Sequence, residues 1–186
     1  MIAGLLLAAG QSKRFGERDK LLAQWAGGAL IKGAADLLRS LELDQRIAVV
    51  SSPEVEAELG GFEIIQNAEP EAGMGRSLSL GIEAVRASGA SRVLIALGDM
   101  PFVTVAHGQA VVERCTEERG SASVLEGRRM PPACFPRRAF EALGSVAGDR
   151  GARDLIAALP EDALVSGDAQ MLADIDTPEA LRGAGS

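Results

Sequence analysis

Short apolar segments alternate along this 186-residue chain with segments that have the spacing of amphipathic helices. The segments at 2–9, 47–50 and 92–97 are apolar almost throughout, rather than at every second residue. Continuous apolar strands are typical of a parallel sheet whose two faces are both covered by helices. The pattern therefore predicts an α/β fold in which a mostly parallel sheet lies between two layers of helices.

The remaining elements follow from apolar periodicity and from turn residues. The predicted helices cover residues 29–41, 53–59, 76–87, 105–119, 138–143 and 152–159. Further short strands are predicted at 62–65, 122–125 and 133–135, with a turn at 127–129. A last helix is predicted to begin with Pro178 at its first position, capped by Asp176 or Thr177. At this length we expect a single domain, residues 1–186.

Composition limits the classes of partner and the compartment. The net charge of -7 disfavours nucleic acids and anionic membranes, which are bound mainly by clustered cations. A membrane-spanning helix would need about 18 consecutive apolar residues, and the opening segment is shorter. The two cysteines, Cys115 and Cys134, are too few and too far apart to indicate a disulfide framework. We therefore expect a cytoplasmic protein with no nucleic-acid or membrane partner.

The loop after the first strand has the composition of a polyphosphate site. Gly10 and Gly16 flank Ser12, Lys13 and Arg14, and Lys20 follows soon after. Backbone N–H groups of such a loop can approach phosphate oxygens closely, and the cations neutralise their charge. The loop has neither of the two best-known glycine-rich phosphate fingerprints, and an ordinary solvated loop has a similar composition. A nucleoside triphosphate is the ligand that this loop favours.

Carboxylates suited to a divalent cation occur at two later places. Asp99 follows the strand at 92–97, and in open α/β sheets ligands collect beyond the carboxyl ends of the strands. Asp174 and Asp176 lie in a short acidic segment near the end of the chain. Mg²⁺ prefers one or two protein carboxylates together with phosphate oxygens. The alternatives are a turn aspartate at 99 and acids that stabilise a helix N-terminus at 174 and 176.

A second glycine-rich segment, residues 73–81, begins a predicted helix. Gly75 and Ser77 leave backbone donors accessible to a base edge or a phosphate, although Ser77 is equally suited to cap the helix. Asn67, which follows a predicted strand, could read a base edge or be a loop residue. The single histidine, His107, is expected to be a solvated residue on its helix, so no nucleophile–histidine arrangement or zinc site is predicted.

Taken together and in order, these motifs resemble the MobA-like nucleotidyltransferase superfamily, and within it the molybdenum cofactor cytidylyltransferases. The similarity extends from about residue 2 to residue 181. Its motifs are Leu-Ala-Ala-Gly-Gln-Ser-Lys-Arg-Phe-Gly at 7–16 with Lys20, Asn67, Gly-Met-Gly-Arg-Ser-Leu at 73–78, Leu-Gly-Asp-Met-Pro at 97–101, Gly-Asp-Arg-Gly-Ala-Arg at 148–153 and Asp-Ile-Asp-Thr-Pro-Glu at 174–179.

The resemblance implies a Rossmann-like α/β/α nucleotidyltransferase fold and an enzyme that uses Mg²⁺. It implies that a phosphate of molybdopterin attacks the α-phosphorus of CTP and expels pyrophosphate. The catalytic residues assigned in this way are Arg14, Lys20 and Asp99. The metal ligands are Asp99 and Asp176, with Asp174 as the alternative to Asp176. The nucleotide-binding residues are Leu7, Ala8, Ala9, Gly10, Ser12, Lys13, Arg14, Lys20, Asn67, Gly75 and Ser77.

The choice of base and acceptor rests on smaller differences. Leu-Ala-Ala-Gly at 7–10 is similar to the cytidylyltransferase form, whereas related guanylyltransferases more often have Leu-Ala-Gly-Gly. These enzymes usually have Gly-His-Pro after an arginine-containing turn, where this chain has Arg-Arg-Met-Pro-Pro at 128–132. The alternatives are therefore a nucleotidyltransferase with another phosphorylated acceptor and a non-catalytic protein that binds or delivers the cofactor. A molybdoenzyme is a further expected partner.

Overall fold

The computed structural model describes residues 1–10, 19–25, 27–177 and 181, which form a seven-stranded sheet, a small hairpin and surrounding helices. The strands are β1 (Ile2–Ala8), β2 (Gln24–Trp25), β3 (Gly28–Ala29), β4 (Gln45–Val50), β5 (Glu63–Gln66), β6 (Arg92–Leu97), β7 (Ser121–Leu125), β8 (Arg128–Pro136) and β9 (Leu164–Ser166). The α-helices are α1 (Ile31–Ser40), α2 (Pro53–Ala57), α3 (Met74–Ala87), α4 (Val105–Arg114), α5 (Phe140–Gly144) and α6 (Arg153–Ala157).

The large sheet has the order β5-β4-β1-β6-β8-β7-β9. Strand β1 pairs in parallel with β4 on one side and with β6 on the other, and β5 extends the parallel part beyond β4. Strand β8 runs antiparallel to both β6 and β7, and β9 is parallel to β7. The prediction of a mostly parallel, Rossmann-like sheet is confirmed.

Successive residues of β1 enter two separate cores, because side chains alternate between the faces of a strand. Leu6 and Ala8 pack with buried residues of α1, α2 and α4. Leu5 and Leu7 pack with those of α3, α5 and α6. The sheet is thus covered by helices on both faces, and every apolar residue of β1 after Ile2 is buried, which is why the strand is apolar at consecutive positions.

The structure corrects several predicted boundaries. Helix α4 ends at Arg114 rather than at 119, because its apolar spacing stops at Cys115 and acidic residues follow. The turn predicted at 127–129 lies at Glu126 and Gly127, which both have positive φ, so that 128–129 belong to β8. The β2–β3 hairpin and β9 were not predicted, since strands of two or three residues carry almost no periodic signal. The start of the last predicted helix lies outside the described residues.

The prediction of a solvated His107 is wrong. Its side chain is buried, and its Nε2 lies 2.8 Å from the hydroxyl of Ser123, which in turn donates to the carbonyl oxygen of Pro132 at 3.0 Å. Because the single hydroxyl hydrogen is used on Pro132, Nε2 must carry the hydrogen and donate to Ser123. His107 therefore joins α4 to the β7–β8 hairpin. Among the described residues, no helix has the length and apolar character needed to cross a membrane.

Replacement of His107 by Gln should change how stability depends on pH. Burial lowers the pKa of His107 below its ordinary value of 6.5, and Asp168 opposes this only in part. The unfolded chain then binds more protons than the folded one as the pH falls below 6.5, so protonation destabilises the native protein. We expect the free energy of unfolding of the wild type to fall relative to His107→Gln between pH 7.5 and pH 5. Urea unfolding at both pH values measures this, and a constant difference would contradict it.

Replacement of Gly33 by Ala should destabilise the fold although Gly33 lies inside α1. A Cβ atom there would lie 2.5 Å from the carbonyl oxygen and 2.7 Å from the Cα of Pro101, in the turn that follows β6. The gain in helix propensity is at most about 1 kcal/mol, whereas overpacking against backbone typically costs about 1–3 kcal/mol. We expect a net loss of stability in urea unfolding. Gly60→Ala is the control, because a Cβ at Gly60 would meet nothing within 4 Å.

Candidate active site

A cleft of about 380 Å³ lies at the carboxyl ends of the central parallel strands. It is bounded by the residues after β1 and β6, by the turn at Lys20–Leu22, by the start of α3 and by the segment around 176. The lining residues are Leu7, Ala8, Ala9, Gly10, Lys20, Leu21, Pro70, Glu71, Gly73, Met74, Ser77, Leu97, Asp99 and Asp176.

The pairing of β1 with β6 places the two central loops side by side. Leu7 lies opposite Leu97, and the N–H of Gly98 donates to the carbonyl oxygen of Leu7 at 3.0 Å. This continues the parallel ladder one step past the end of β6. Ala9 and Asp99 are therefore brought to the same edge of the sheet, as the sequence predicts.

The loop that carries Asp99 is held from two directions. The N–H of Ile175 donates to the backbone oxygen of Asp99 at 2.9 Å, which brings the adjacent Asp176 to the cleft. Trp25 of the β2–β3 hairpin packs edge-on against Phe102 at a centroid distance of 4.9 Å. The position of Asp99 thus depends on parts of the chain far apart in sequence.

Lys20 joins the two carboxylates of the cleft. Its Nζ lies 2.7 Å from Oδ2 of Asp99 and 2.9 Å from Oδ1 of Asp176. The side chains of Lys20 and Asp99 are only 15% and 21% exposed, so water screens this pair weakly. Burial lowers the pKa of Lys20, but Asp99 and Asp176 outweigh it, and the pKa stands above its ordinary value of 10.5. The lysine is therefore fully charged at neutral pH.

The second oxygen of Asp99 suits a divalent cation. Oδ1 is buried and has no hydrogen-bond partner among the described residues, although a buried carboxylate oxygen normally has one. Asp176 lines the same cleft, whereas Asp174 is exposed and does not line it. The described residues contain no cluster of three or more His, Cys, Asp or Glu side chains suited to a metal. Two carboxylates that are completed by phosphate oxygens fit a hard cation such as Mg²⁺.

The opposite wall of the cleft is formed where α3 begins. Gly73, at φ 90°, precedes the helix, and Met74 and Ser77 line the cleft. Gly75 does not line it. A Cβ at Gly75 would come within 2.9 Å of backbone atoms of residues 146–148, so the missing side chain allows that segment to pack on α3.

Asn67 also lies outside the lining of the cleft, directly behind Ser77. Its Nδ2 donates to the hydroxyl of Ser77 at 2.9 Å, and its Oδ1 accepts from the N–H of Glu69 at 2.9 Å. Both ends of the amide are thus used within the protein. The role of Asn67 at a base edge therefore remains a prediction without a direct path to the cleft.

Three predicted residues, Ser12, Lys13 and Arg14, lie outside the described residues. Sequence reasoning missed other lining residues, namely Leu21, Pro70, Glu71 and Leu97. Leu21 and Leu97 looked like ordinary core residues, and Pro70 and Glu71 lie in a short turn with no recognisable motif.

The segment at 128–132, which departs from the family's Gly-His-Pro, is the start of β8, and part of it packs within the fold. The guanidinium of Arg129 donates to the backbone oxygen of Ala157, at the end of α6, and lies 3.8 Å from Glu161. Met130 is buried, whereas Arg128 is exposed. Of the two arginines, Arg128 is therefore the one whose charge faces solvent.

Comparison with known proteins shows which family the chain resembles. A family model described as a MobA-like NTP transferase domain matches residues 4–163. The purine catabolism protein PucB of Bacillus subtilis is 30% identical over 96% of this chain and 93% of its own length. A probable molybdenum cofactor guanylyltransferase of Pyrococcus horikoshii is 33% identical over 64% of this chain and 59% of its own.

Comparison with a solved structure agrees with the fold described above. The structure of Rv0371c from Mycobacterium tuberculosis in complex with manganese superimposes with a TM-score of 0.80 at 22% identity, covering 99% of this chain and 97% of the other. At this level of identity the match supports a common fold.

Removal of the ammonium group of Lys20 should strengthen metal binding by the free protein. Lys20→Met removes the ammonium group that lies between the carboxylates of Asp99 and Asp176, so a divalent ion would gain the attraction that Lys20 now takes. We expect Mn²⁺ to bind at least about tenfold more tightly, which is about 1.4 kcal/mol. Calorimetric titration without nucleotide measures this effect.

Lys32→Met is the matched control, because Lys32 pairs with the single carboxylate of Glu58 at 3.0 Å and does not line the cleft. Equal Mn²⁺ affinities for Lys20→Met and the wild type would show that Asp99 and Asp176 do not form the metal site.

Proposed function

This chain belongs to the MobA-like NTP transferase family, and from that premise we propose that it transfers CMP from CTP to the phosphate of molybdopterin, releasing pyrophosphate. The observation that carries the proposal is the group formed by Lys20, Asp99 and Asp176 at the carboxyl edge of the sheet. A protein that only binds the cofactor has no need for two features of this site. One is a buried carboxylate oxygen that has no partner among the described residues, and the other is a lysine that bridges two acids.

The proposed reaction needs little proton transfer. An oxygen of the acceptor phosphate forms a bond to the α-phosphorus of CTP, and the bond from that phosphorus to the bridging oxygen breaks as pyrophosphate leaves. Because a phosphate nucleophile is already largely ionised at neutral pH, the site has to position the reactants and balance negative charge.

The chain supplies groups for these tasks. Lys20 would neutralise phosphate oxygens, while Asp99 and Asp176 would hold Mg²⁺. The bound ion would offset the charge that builds on the transferring phosphate and on the pyrophosphate. The start of α3, where Gly73, Met74 and Ser77 line the cleft, would contact the nucleoside. We further propose that Ser12, Lys13 and Arg14 complete the phosphate side.

Two observations support the choice of CTP and of molybdopterin. Ala8, Ala9 and Gly10, the residues that resemble the cytidylyltransferase form, line the cleft. A relative of this chain is named as a probable molybdenum cofactor guanylyltransferase, which favours a cofactor-type acceptor. We propose a cytoplasmic location, since Cys115 and Cys134 are both free thiols.

A different phosphorylated acceptor is the second candidate. It is favoured by the start of β8, where Met130 and Pro131 replace the Gly-His of the cytidylyltransferases and Met130 is buried.

The direct experiment measures pyrophosphate release with CTP, GTP or ATP, in the presence of Mg²⁺ and molybdopterin. We expect release with CTP, and we expect Asp99→Asn to lower kcat by at least about a hundredfold while the protein stays folded. No release with any nucleotide by folded protein would overturn the proposed activity. Release that requires a phosphosugar or a phosphoalcohol in place of molybdopterin would favour the second candidate. A carrier protein would keep molybdopterin bound in Asp99→Asn and show no turnover in the wild type.

Comparison of the two late acids tests the metal assignment. Asp176→Asn should lower kcat strongly and raise the Mg²⁺ concentration needed for half-maximal rate. Asp174→Asn should change neither by more than about twofold, because its side chain is exposed outside the cleft. The reverse result would assign the metal to Asp174.

A further inference from the structure

Ser77 and Asn67 form a buried polar pair at the wall of the cleft. Ser77 is 4% exposed and lines the cleft, whereas Asn67 is 2% exposed and lies behind it. The N–H of Asn67 donates to the carbonyl oxygen of Val50 at 2.8 Å, so its backbone is fixed at the end of β4. The pair is therefore held rigidly by the sheet on one side and by α3 on the other.

The orientation of the Asn67 amide follows from its neighbours. The N–H of Glu69 can only donate, so the atom 2.9 Å from it must be the amide oxygen. The amide nitrogen then faces Ser77, at 2.9 Å from its Oγ. A reversed amide would place two donors against each other at Glu69 and leave its oxygen against Ser77. The backbone of Glu69 thus determines which end of Asn67 meets the serine.

The direction of the Ser77 hydroxyl follows in turn. Its oxygen accepts from Asn67, so its single hydrogen has to point elsewhere. None of the described residues accepts that hydrogen, although the side chain is more than nine-tenths buried. A buried donor without an acceptor is costly. The open direction for the hydrogen is the cleft, where a ligand atom would satisfy it.

We propose that Asn67 is a positioning residue that holds the Ser77 hydroxyl as a donor toward the nucleobase, and that this donor selects cytosine over uracil. This rests on the proposed function, with a nucleoside triphosphate in the cleft. Ring nitrogen 3 is an acceptor in cytosine and carries a hydrogen in uracil. The hydrogen of Ser77 pairs with that nitrogen in cytosine, whereas uracil meets only the remaining lone pair of Ser77 and leaves its buried hydrogen unpaired. Sites that match buried polar groups in this way discriminate more strongly than apolar pockets do.

Asn67→Asp replaces the amide nitrogen that donates to Ser77 with a carboxylate oxygen that accepts, and the side chain keeps almost the same shape. The carboxylate still accepts from the N–H of Glu69, but its second oxygen also accepts, so the hydrogen of Ser77 turns toward Asp and its lone pairs face the cleft. We expect the ratio of CTP to UTP affinity, measured by calorimetry with Mg²⁺, to fall at least tenfold, with UTP bound as tightly as before or more so. In turnover the KM for CTP should rise while kcat changes less than about threefold, because Asn67 does not touch the reacting phosphates.

Ser77→Ala is the second variant, since it removes the donor without placing a charge in the interior. Its CTP to UTP ratio should fall toward one. Ser79→Ala is the matched control, because Ser79 lies on α3 but does not line the cleft, and it should keep the wild-type ratio. Urea unfolding establishes that each variant is folded.

The outcomes separate this inference from the proposed function. A wild type that binds CTP and UTP equally, or a folded Asn67→Asp that keeps the wild-type ratio, overturns the role of Asn67 and leaves nucleotidyl transfer intact. If Asn67→Asp does not fold, an unchanged ratio in Ser77→Ala overturns it. A folded wild type that binds none of the nucleoside triphosphates overturns the proposed function itself.

Discussion

The parallel pairing of β1 between β4 and β6 is the constraint on which the rest of the structure depends. Because the three strands run in the same direction, their carboxyl ends meet at one edge, and all the loops that leave those ends meet there as well. Ala9 and Asp99 are neighbours at this edge although they are far apart in sequence. The continuous apolar character of β1 has the same origin, since both of its faces are buried. One pairing pattern therefore explains both the core and the position of the cleft.

Electrostatics gives this edge its chemical character. Lys20 stands between Asp99 and Asp176 and balances one of their two charges, so the described part of this group is negative overall. Two carboxylates repel a polyphosphate, so the proposed nucleotide site needs further positive charge, which a divalent ion and the loop residues Lys13 and Arg14 would supply. Among the described residues, nothing pairs with the buried Oδ1 of Asp99, which suits such an ion.

Local sequence signals predicted the central strands and the position of Asp99, but they did not predict the contacts between elements. Long apolar segments predicted β1, β4 and β6 to within two residues at each end, and the position of Asp99 after β6 followed from strand direction. Sequence could not show that Asn67 faces Ser77 rather than the cleft, because the amide is oriented by the backbone of Glu69. The prediction that His107 is solvated was wrong for a similar reason, because its partner, Ser123, lies on β7, a separate element of the chain. Contacts between elements produce no periodic pattern in the sequence, and strands as short as β9 produce none either.

The direction of β8 has a consequence for how such proteins diversify. Strand β8 pairs with β6 from Pro136, opposite Arg92, to Ala133, opposite Ile95, so the residues before Ala133 lie toward the edge where β6 leads to Asp99. Because β8 is antiparallel to β6, the start of β8 and the turn before it lie at the edge where the parallel strands end. That turn belongs to a different stretch of chain from the loops after β1 and β6. Substitutions in the β7–β8 hairpin can therefore alter the proposed acceptor side while the loops after β1 and β6, on the proposed nucleotide side, stay unchanged.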